Sequence, residues 1–128
     1  MTNTTKIEKF QKVTGETHTI DATNKRLGKV ATEAATVLMG KNKADFAKHE
    51  MSDVVVTVIN AGQLDIPEKK KGEIYQSFSG YPGGRKTETL DHLRVRLGIA
   101  EVMKRSIGGM LPQNKHKKRL LKQLIITE

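Results

Sequence analysis

Hydrophobic residues are most concentrated at 54–59, where the sequence reads Val-Val-Val-Thr-Val-Ile. All six residues are β-branched, and no alternation along the segment leaves one face polar. Such a run predicts a strand that is covered on both faces, as is usual for a central strand of a parallel sheet. We therefore predict an α/β domain built around this strand.

A helical pattern precedes the strand. Its apolar positions recur at intervals of three and four residues, which places all of them on one face of a helix. Gly40 follows where a left-handed C-terminal cap is expected. Residues 18–22 are a strand candidate before the helix, so a βαβ unit is predicted. The apolar positions of the helix are Leu27, Val30, Ala31, Ala34, Ala35 and Leu38.

The second half of the chain predicts further helices between glycine-rich breaks. Thr87 is the predicted N-cap of a helix that Gly98 interrupts, and a second helical segment covers 99–107. The run 108–112 is expected to end that segment, and Asn114 to cap a last helix. We expect residues 1–128 to form a single domain, with a peripheral arm at 1–15 and a basic helix with a short closing strand within 113–128.

The charge changes the picture, because it is both large and uneven. The chain has 23 Lys and Arg against 14 Asp and Glu, a formal net charge of +9. No Asp or Glu lies between Glu101 and Glu128, although seven Lys and Arg lie there. Basic charge gathered in one segment is typical of nucleic-acid binding, whereas a solubilising surface usually mixes both signs.

The residues that we expect to bind nucleic acid fall into clusters that combine Lys and Arg with glycines. Glycines let the backbone approach another surface closely, and cationic side chains contact phosphates. The predicted binding residues are Arg26 and Lys29 at the start of the first helix, Lys41, Lys43, Lys48 and His49 after it, Tyr81, Gly83, Gly84, Arg85 and Lys86 in a glycine-rich loop, and Lys104, Arg105, Lys115, His116, Lys117, Lys118 and Arg119 in the C-terminal part.

Other chemistry has little support in the sequence. Both the P-loop spacing and the dinucleotide-binding glycine spacing are absent, and the chain has no cysteine. No pair of histidines has helical metal-ligand spacing, so we predict no catalytic residue, no cofactor and no metal. No apolar run approaches the ~18 residues that a membrane span needs. We expect a cytoplasmic protein without a membrane partner.

Several short stretches in this order and spacing resemble the bacterial large-subunit ribosomal protein L13 family. The most specific are Ser-Gly-Tyr-Pro-Gly-Gly at 79–84 and Gly-Met-Leu-Pro-Gln-Asn at 109–114, with a basic helix after the latter. Asp-Ala at 21–22, Leu-Gly-Lys-Val-Ala at 27–31, Gly-Lys-Asn-Lys at 40–43 and residues 53–61 also belong to the resemblance, which covers roughly residues 18–124.

The resemblance implies a three-layer α/β/α fold with a mostly parallel four-stranded sheet. It also implies binding to 23S rRNA of the large subunit, neighbouring ribosomal proteins as partners, a role early in subunit assembly, no enzyme activity and no autonomous homo-oligomer. Ser77 and Phe78 stand where this family usually has an aromatic–His pair, and the sequence ends at Glu128, before the family's Gly and His-Pro-His stretch.

Two other functions stay open at this stage. A free-standing RNA-binding regulator would show a dimer or a recognition helix, and the basic helix lacks the Arg, Asn and Gln pattern of base reading. A small phosphate-substrate enzyme would use the loop at 79–84 and would place carboxylate or His groups beside it.

Overall fold

The structure is a computed structural model that describes residues 16–44, 46–47 and 52–128. Five strands and five helices lie in these ranges, together with one 3₁₀ turn at Ala61–Gln63. The strands are β1 Thr17–Asp21, β2 Val55–Ile59, β3 Ile74–Phe78, β4 Arg85–Thr89 and β5 Leu124–Ile126, and the helices are α1 Leu27–Met39, α2 Glu68–Lys71, α3 Leu90–Leu97, α4 Ile99–Met110 and α5 Lys117–Lys122.

The β-branched segment forms the middle strand of a parallel sheet, as predicted. β2 pairs with β1 on one side, in a register that places Val56 opposite His18, and with β5 on the other side. Val54, Val56 and Val58 are fully buried, because neighbouring strands and helices cover both faces of a central strand. The mixed α/β class is therefore confirmed.

The predicted four-stranded sheet is not confirmed. Within the described ranges the parallel sheet has three strands, in the order β1, β2, β5, and β3 pairs with β4 as a separate antiparallel hairpin. The three-layer arrangement stays a prediction, and the expected arm at 1–15 lies outside the described residues.

Helix α1 has the predicted buried face. All six apolar positions of the pattern are buried, from Leu27 to Leu38. Gly40 has φ 77°, and its N–H bonds to the carbonyls of Thr36 and Val37. This left-handed cap turns the chain sharply at the end of the helix. The chain then leads to β2, which lies parallel to β1, and completes the predicted βαβ unit.

Three predicted helix boundaries are wrong, and the third is the start of α5, whose N-cap is His116 and not Asn114. Thr87 lies inside β4, and Thr89 is the N-cap of α3, where its side chain accepts a hydrogen bond from the His92 N–H. The second error concerns the end of α4, which continues through Gly108 and Gly109 to Met110.

Gly108 is buried where α4 faces α5. A Cβ at this position would lie 3.7 and 3.8 Å from the two terminal methyls of Leu121, which is ordinary van der Waals contact. The chain leaves the helical conformation only at Leu111 and Pro112.

Candidate nucleic-acid interface

A groove lies where α1 and α4 end and the segment leading to α5 begins. Ser52 and Leu120, which precede β2 and β5, form part of its wall, so the groove lies at the amino edge of the parallel sheet. Its volume is about 240 Å³. We call it the basic groove, and its described lining residues are Met39, Lys41, Phe46, Ala47, Ser52, Met110, Leu111, Pro112, Asn114, His116 and Leu120.

Buried contacts fix the wall of this groove. The Gln123 side chain is buried, and its amide nitrogen, when turned toward the two nearest carbonyls, donates to Ser52 O at 3.0 Å and to Val54 O at 3.1 Å. A Cβ at Gly40 would lie 3.3 Å from the Ser52 Oγ, so the glycine also permits the close approach of the two segments. The chain before β2 is thereby held between α1 and α5.

The groove brings residues from two of the predicted clusters together. Lys41, from the loop after α1, and His116, from the segment before α5, line the same depression although they are 75 positions apart in the sequence. Lys115, Lys118 and Arg119, in the same segment as His116 and in α5, are exposed. None of these three cations has a carboxylate within 4.0 Å in the part of the chain that the structure describes.

The turn before α5 positions these cations. Asn114 Oδ1 accepts a hydrogen bond from the His116 N–H at 3.0 Å, and the Asn114 carbonyl accepts one from the Lys117 N–H. Asn114 therefore orders this turn, although the helix begins three residues later, at Lys117. Lys117 extends its side chain along α4, with its Cε 3.8 Å from the position of a Gly108 Cβ.

Three other residues of the predicted set are tied to carboxylates. Arg26 Nε lies 3.0 Å from an Asp65 oxygen, and Lys43 Nζ lies 3.7 Å from a Glu16 oxygen. Arg105 is half-buried and lies between two carboxylates, described next. Lys29 and Lys104 are exposed on their helices, and Lys48 and His49 lie outside the described residues.

Arg105 belongs to a group that we call the Glu88 cluster, which consists of Glu88, His92, Arg96 and Arg105. The Glu88 side chain is only 16% exposed. Arg96 donates two hydrogen bonds to it, at 2.7 and 3.1 Å, and His92 Nδ1 lies 3.1 Å away. Arg105 lies 3.7 Å from Glu88 and also bonds to Glu101 at 3.3 Å.

The pKa of Glu88 is lowered from its ordinary value, mainly by the hydrogen bond from Arg96 and then by that from His92. The same contact raises the pKa of Arg96. Both groups are therefore charged at neutral pH, and the cluster neutralises cations that belong to the basic part of the sequence.

The glycine-rich loop connects β3 to β4. It is a tight turn in which the Gly84 N–H donates to the Tyr81 carbonyl at 3.0 Å. Gly80 and Gly83 have φ of 92° and 73°, which favours glycine. The Tyr81 side chain is 76% exposed, which is a surface position and not that of a buried loop anchor.

Gly84 has a role inside this turn. A Cβ at Gly84 would collide with the Ser79 Oγ and would lie 3.0 Å from the Tyr81 carbonyl oxygen. At Gly83, by contrast, a Cβ would meet no atom within 4 Å. Arg85 and Lys86 are exposed at the start of β4, and no residue of this loop is among the described residues that line the basic groove.

Sequence reasoning missed the apolar part of the groove. Phe46 is 37% exposed and Met110 is 43% exposed, and both line it. Leu111, the residue after Met110, is buried in the core. A signal for Phe46 existed, since a lone aromatic residue stands among basic and polar residues just after the Lys41 loop.

The described residues contain no group of three or more metal-ligating side chains that could hold an ion. No helix in those same ranges is long and apolar enough to cross a membrane.

Together the fold and the groove define a small basic α/β protein with exposed basic side chains on the segments that meet at one edge of a parallel sheet. The model of the family described as "Ribosomal protein L13" matches residues 15–127. The chain belongs to this family, as the resemblance predicted, and the family is one of ribosomal proteins and not of enzymes.

Three similar relatives support this family assignment. "Large ribosomal subunit protein uL13" of Synechococcus sp. strain CC9311 is 38% identical over 123 residues, which are 95% of this chain and 81% of the relative. The protein of the same name from Geobacter sp. strain M21 is 39% identical over 123 residues, or 95% and 86% of the two chains. That of a Synechocystis strain is 40% identical over 108 residues, or 84% and 71%.

Proposed function

We propose that this protein is a structural constituent of the large ribosomal subunit that binds 23S rRNA and stabilises its folded form early in subunit assembly. Its partners are then this rRNA and neighbouring proteins of the large subunit, and its place is on the ribosome in the cytoplasm. Its relatives are named as proteins of the large ribosomal subunit, which supports the assignment to that subunit. We also propose that the sheet has the fourth strand and the three-layer α/β/α arrangement that the family resemblance implies.

The observation that carries the proposal is the group of exposed cations on the two segments that meet at the basic groove. Lys41, Lys115, Lys118 and Arg119 come from two distant segments, are exposed, and have no carboxylate within 4.0 Å among the described residues. Folding that unites like charges in one place acts against stability by self-repulsion. A polyanion that binds there removes this repulsion, and rRNA is the polyanion that the family membership indicates.

Recognition is then mainly of phosphate and shape. The deep groove of A-form RNA hides its base edges from side chains, whereas phosphates and 2′-hydroxyls remain accessible. Lysine and arginine side chains at the amino edge of the sheet contact phosphates from one side. Tyr81, Arg85 and Lys86 in the hairpin provide a second contact.

The salt dependence of binding tests this function. Full-length protein is titrated with deproteinised 23S rRNA between 50 and 200 mM KCl, and the bound fraction is measured by filter retention. For about 6–10 phosphate contacts, the affinity falls by about 10³–10⁵ over this range, with the slope for duplex DNA as a guide. An affinity that does not change with salt would refute the proposal.

Sedimentation tests the place of the protein. The tagged chain is expressed in a bacterium, and the lysate is separated on a sucrose gradient after a moderate-salt wash. We expect the protein with the large subunit. Recovery only at the top of the gradient, free of RNA, contradicts a structural role in the subunit of that host.

A further inference from the structure

We propose that the basic groove holds a single unpaired RNA base, with the phosphate of that nucleotide on the lysines at the rim. This inference rests on the proposed function and adds to it the element of RNA that the groove selects. An unpaired base is a flat, largely apolar body with polar edges, joined to a charged phosphate. The groove has apolar, polar and cationic residues in its lining.

The floor and walls suit the apolar faces of a base. Phe46 presents part of its ring, and the thioethers of Met39 and Met110 line the same space. Bases that are not paired in a helix stack on aromatic side chains. Methionine side chains are flexible and polarisable, and they contact aromatic rings favourably. Its volume of about 240 Å³ makes the groove a local depression, unlike the extended channel that a duplex would need.

Polar groups on the wall suit the edge of a base. The Asn114 oxygen is occupied by the His116 N–H, so its amide nitrogen can donate to an acceptor in the groove. The Ser52 hydroxyl is buried and has no hydrogen-bond partner in the described parts of the chain. Such an unsatisfied group costs free energy unless a ligand or water pairs with it.

The charged residues at the groove favour a nucleotide base over an apolar side chain of a partner protein. Lys41 and His116 line the groove, no described lining residue is acidic, and Lys115 lies next to His116 in the sequence. An apolar side chain from a neighbouring protein would fill the floor but would leave Lys41 and Lys115 without counter-charge. A nucleotide satisfies both, because the phosphate is attached to the base at a fixed short distance.

Base-specific chemical probing tests the inference. Full-length protein is bound to deproteinised 23S rRNA, and the reactivity of every unpaired base is compared between the wild type and Phe46→Ala, alongside hydroxyl-radical footprints of the backbone. We expect one base, or two adjacent bases, that the wild type protects and Phe46→Ala leaves reactive. The backbone footprint stays the same. Loss of one stacking contact should weaken binding by about 5-fold to 150-fold.

Two further variants keep the test independent of folding. Ala47→Leu fills the groove while leaving Phe46 in place, and it should expose the same base. Phe78→Ala removes an aromatic side chain that is more exposed, at 69%, and does not line the groove, so that base should stay protected. Circular dichroism confirms that each variant is folded before it is probed.

Each outcome has a separate meaning. Base reactivities that are identical in the wild type, Phe46→Ala and Ala47→Leu, with the backbone footprint retained, overturn the base pocket and leave rRNA binding intact. The groove then takes a side chain of a neighbouring protein or nothing. Absence of any footprint with the wild type overturns the proposed function, and the base pocket with it.

Discussion

The basic groove and the β3–β4 hairpin with its Glu88 cluster contain the same kinds of side chain but differ in what surrounds them. Around the groove, Lys115, Lys118 and Arg119 have no carboxylate within 4.0 Å in the described ranges. In the cluster, Arg96 and Arg105 contact one carboxylate that is only 16% exposed. The total charge of a segment therefore does not tell where a polyanion binds. Cations that are already neutralised stabilise the fold, and free ones remain for a ligand.

The largest effect should come from removing the free cations. Log affinity for 23S rRNA falls as log salt rises. Four substitutions to Gln around α5 should make this slope shallower by about 3 to 4, since each lost phosphate contact makes it shallower by about one. Stability should change little, because the described residues offer these side chains no ion pair. Filter binding at several salt concentrations measures the slope. The substituted residues are Lys115, Lys117, Lys118 and Arg119.

A control variant that loses the same number of cations at other positions separates the effect of their position from the effect of total charge. It removes four cations elsewhere, three of which are paired with Glu33, Glu73 and Glu68. A slope close to that of the wild type is expected. An equal fall of the slope in both variants would show that the groove has no special role and would break the comparison. The control residues are Lys25, Lys69, Lys70 and Lys71.

In the β3–β4 hairpin, alanine substitutions at Gly84 and at Gly83 should destabilise the protein for different reasons. Gly84→Ala should destabilise the turn by about 1–3 kcal/mol, since the new Cβ collides with Ser79 and crowds the Tyr81 carbonyl. Gly83→Ala should cost about 1–2 kcal/mol through its φ of 73° alone. Urea denaturation measures both. Adding Ser79→Gly should restore part of the loss in Gly84→Ala and none in Gly83→Ala, and equal rescue of both would contradict this account.

The Glu88 cluster should be visible in the acid stability of the protein. The pKa of Glu88 is lower in the folded chain than its ordinary 4.5, chiefly because of Arg96. Its contribution is therefore fully present above about pH 4.5 and is lost as the pH falls through the lowered pKa. Glu88→Gln should lower the melting temperature at pH 7 and flatten its decline below pH 4.5.

A matched control for this experiment is Asp53→Asn, which removes an exposed carboxylate without a recorded ion pair in the described part of the chain. It should leave the acid limb of the melting curve unchanged. If Glu88→Gln and Asp53→Asn behave alike, Glu88 does not hold its cations in solution, and Arg105 is paired with Glu101 alone.

The smallest effect concerns Gly109, which lies in α4 beside the groove. A Cβ there would meet no atom within 4 Å, so Gly109→Ala should stabilise the protein by about 0.5–1 kcal/mol through helix propensity. Affinity for 23S rRNA should stay unchanged. A fall in affinity would show that RNA approaches this surface closely and would extend the interface beyond the basic groove.

Local patterns in the sequence predicted the middle of the fold well. The β-branched run became the central strand, and the spacing of apolar residues located α1 and its cap at Gly40. Both signals arise within a few neighbouring residues. The end of α4 was not predicted in this way, because two adjacent glycines indicate a break, whereas Gly108 is buried where α5 packs on α4 and the helix continues through both.

The candidate site was harder to predict because pairing reaches across the chain. Arg26 is tied to Asp65 and Arg105 to Glu88, and nothing near either arginine in the sequence indicates those partners. The pair of Glu101 with Arg105 was visible, since it has the four-residue spacing of helix neighbours. The floor of the groove combines three separate segments, so only the folded chain shows that Phe46 lies near Met39 and Met110.

The pairing of β5 with β2 also has a consequence for the order in which the elements fold. Val56 lies opposite Leu124, so this contact closes a loop of 68 residues, whereas β1, α1 and β2 form a more local unit. Contacts between distant residues form late, because the entropy of closing a long loop opposes them. Since α5 immediately precedes β5, the cations around the groove reach their final positions only when that last strand docks. We therefore expect a newly made chain to form its βαβ unit before it completes the surface that carries these cations.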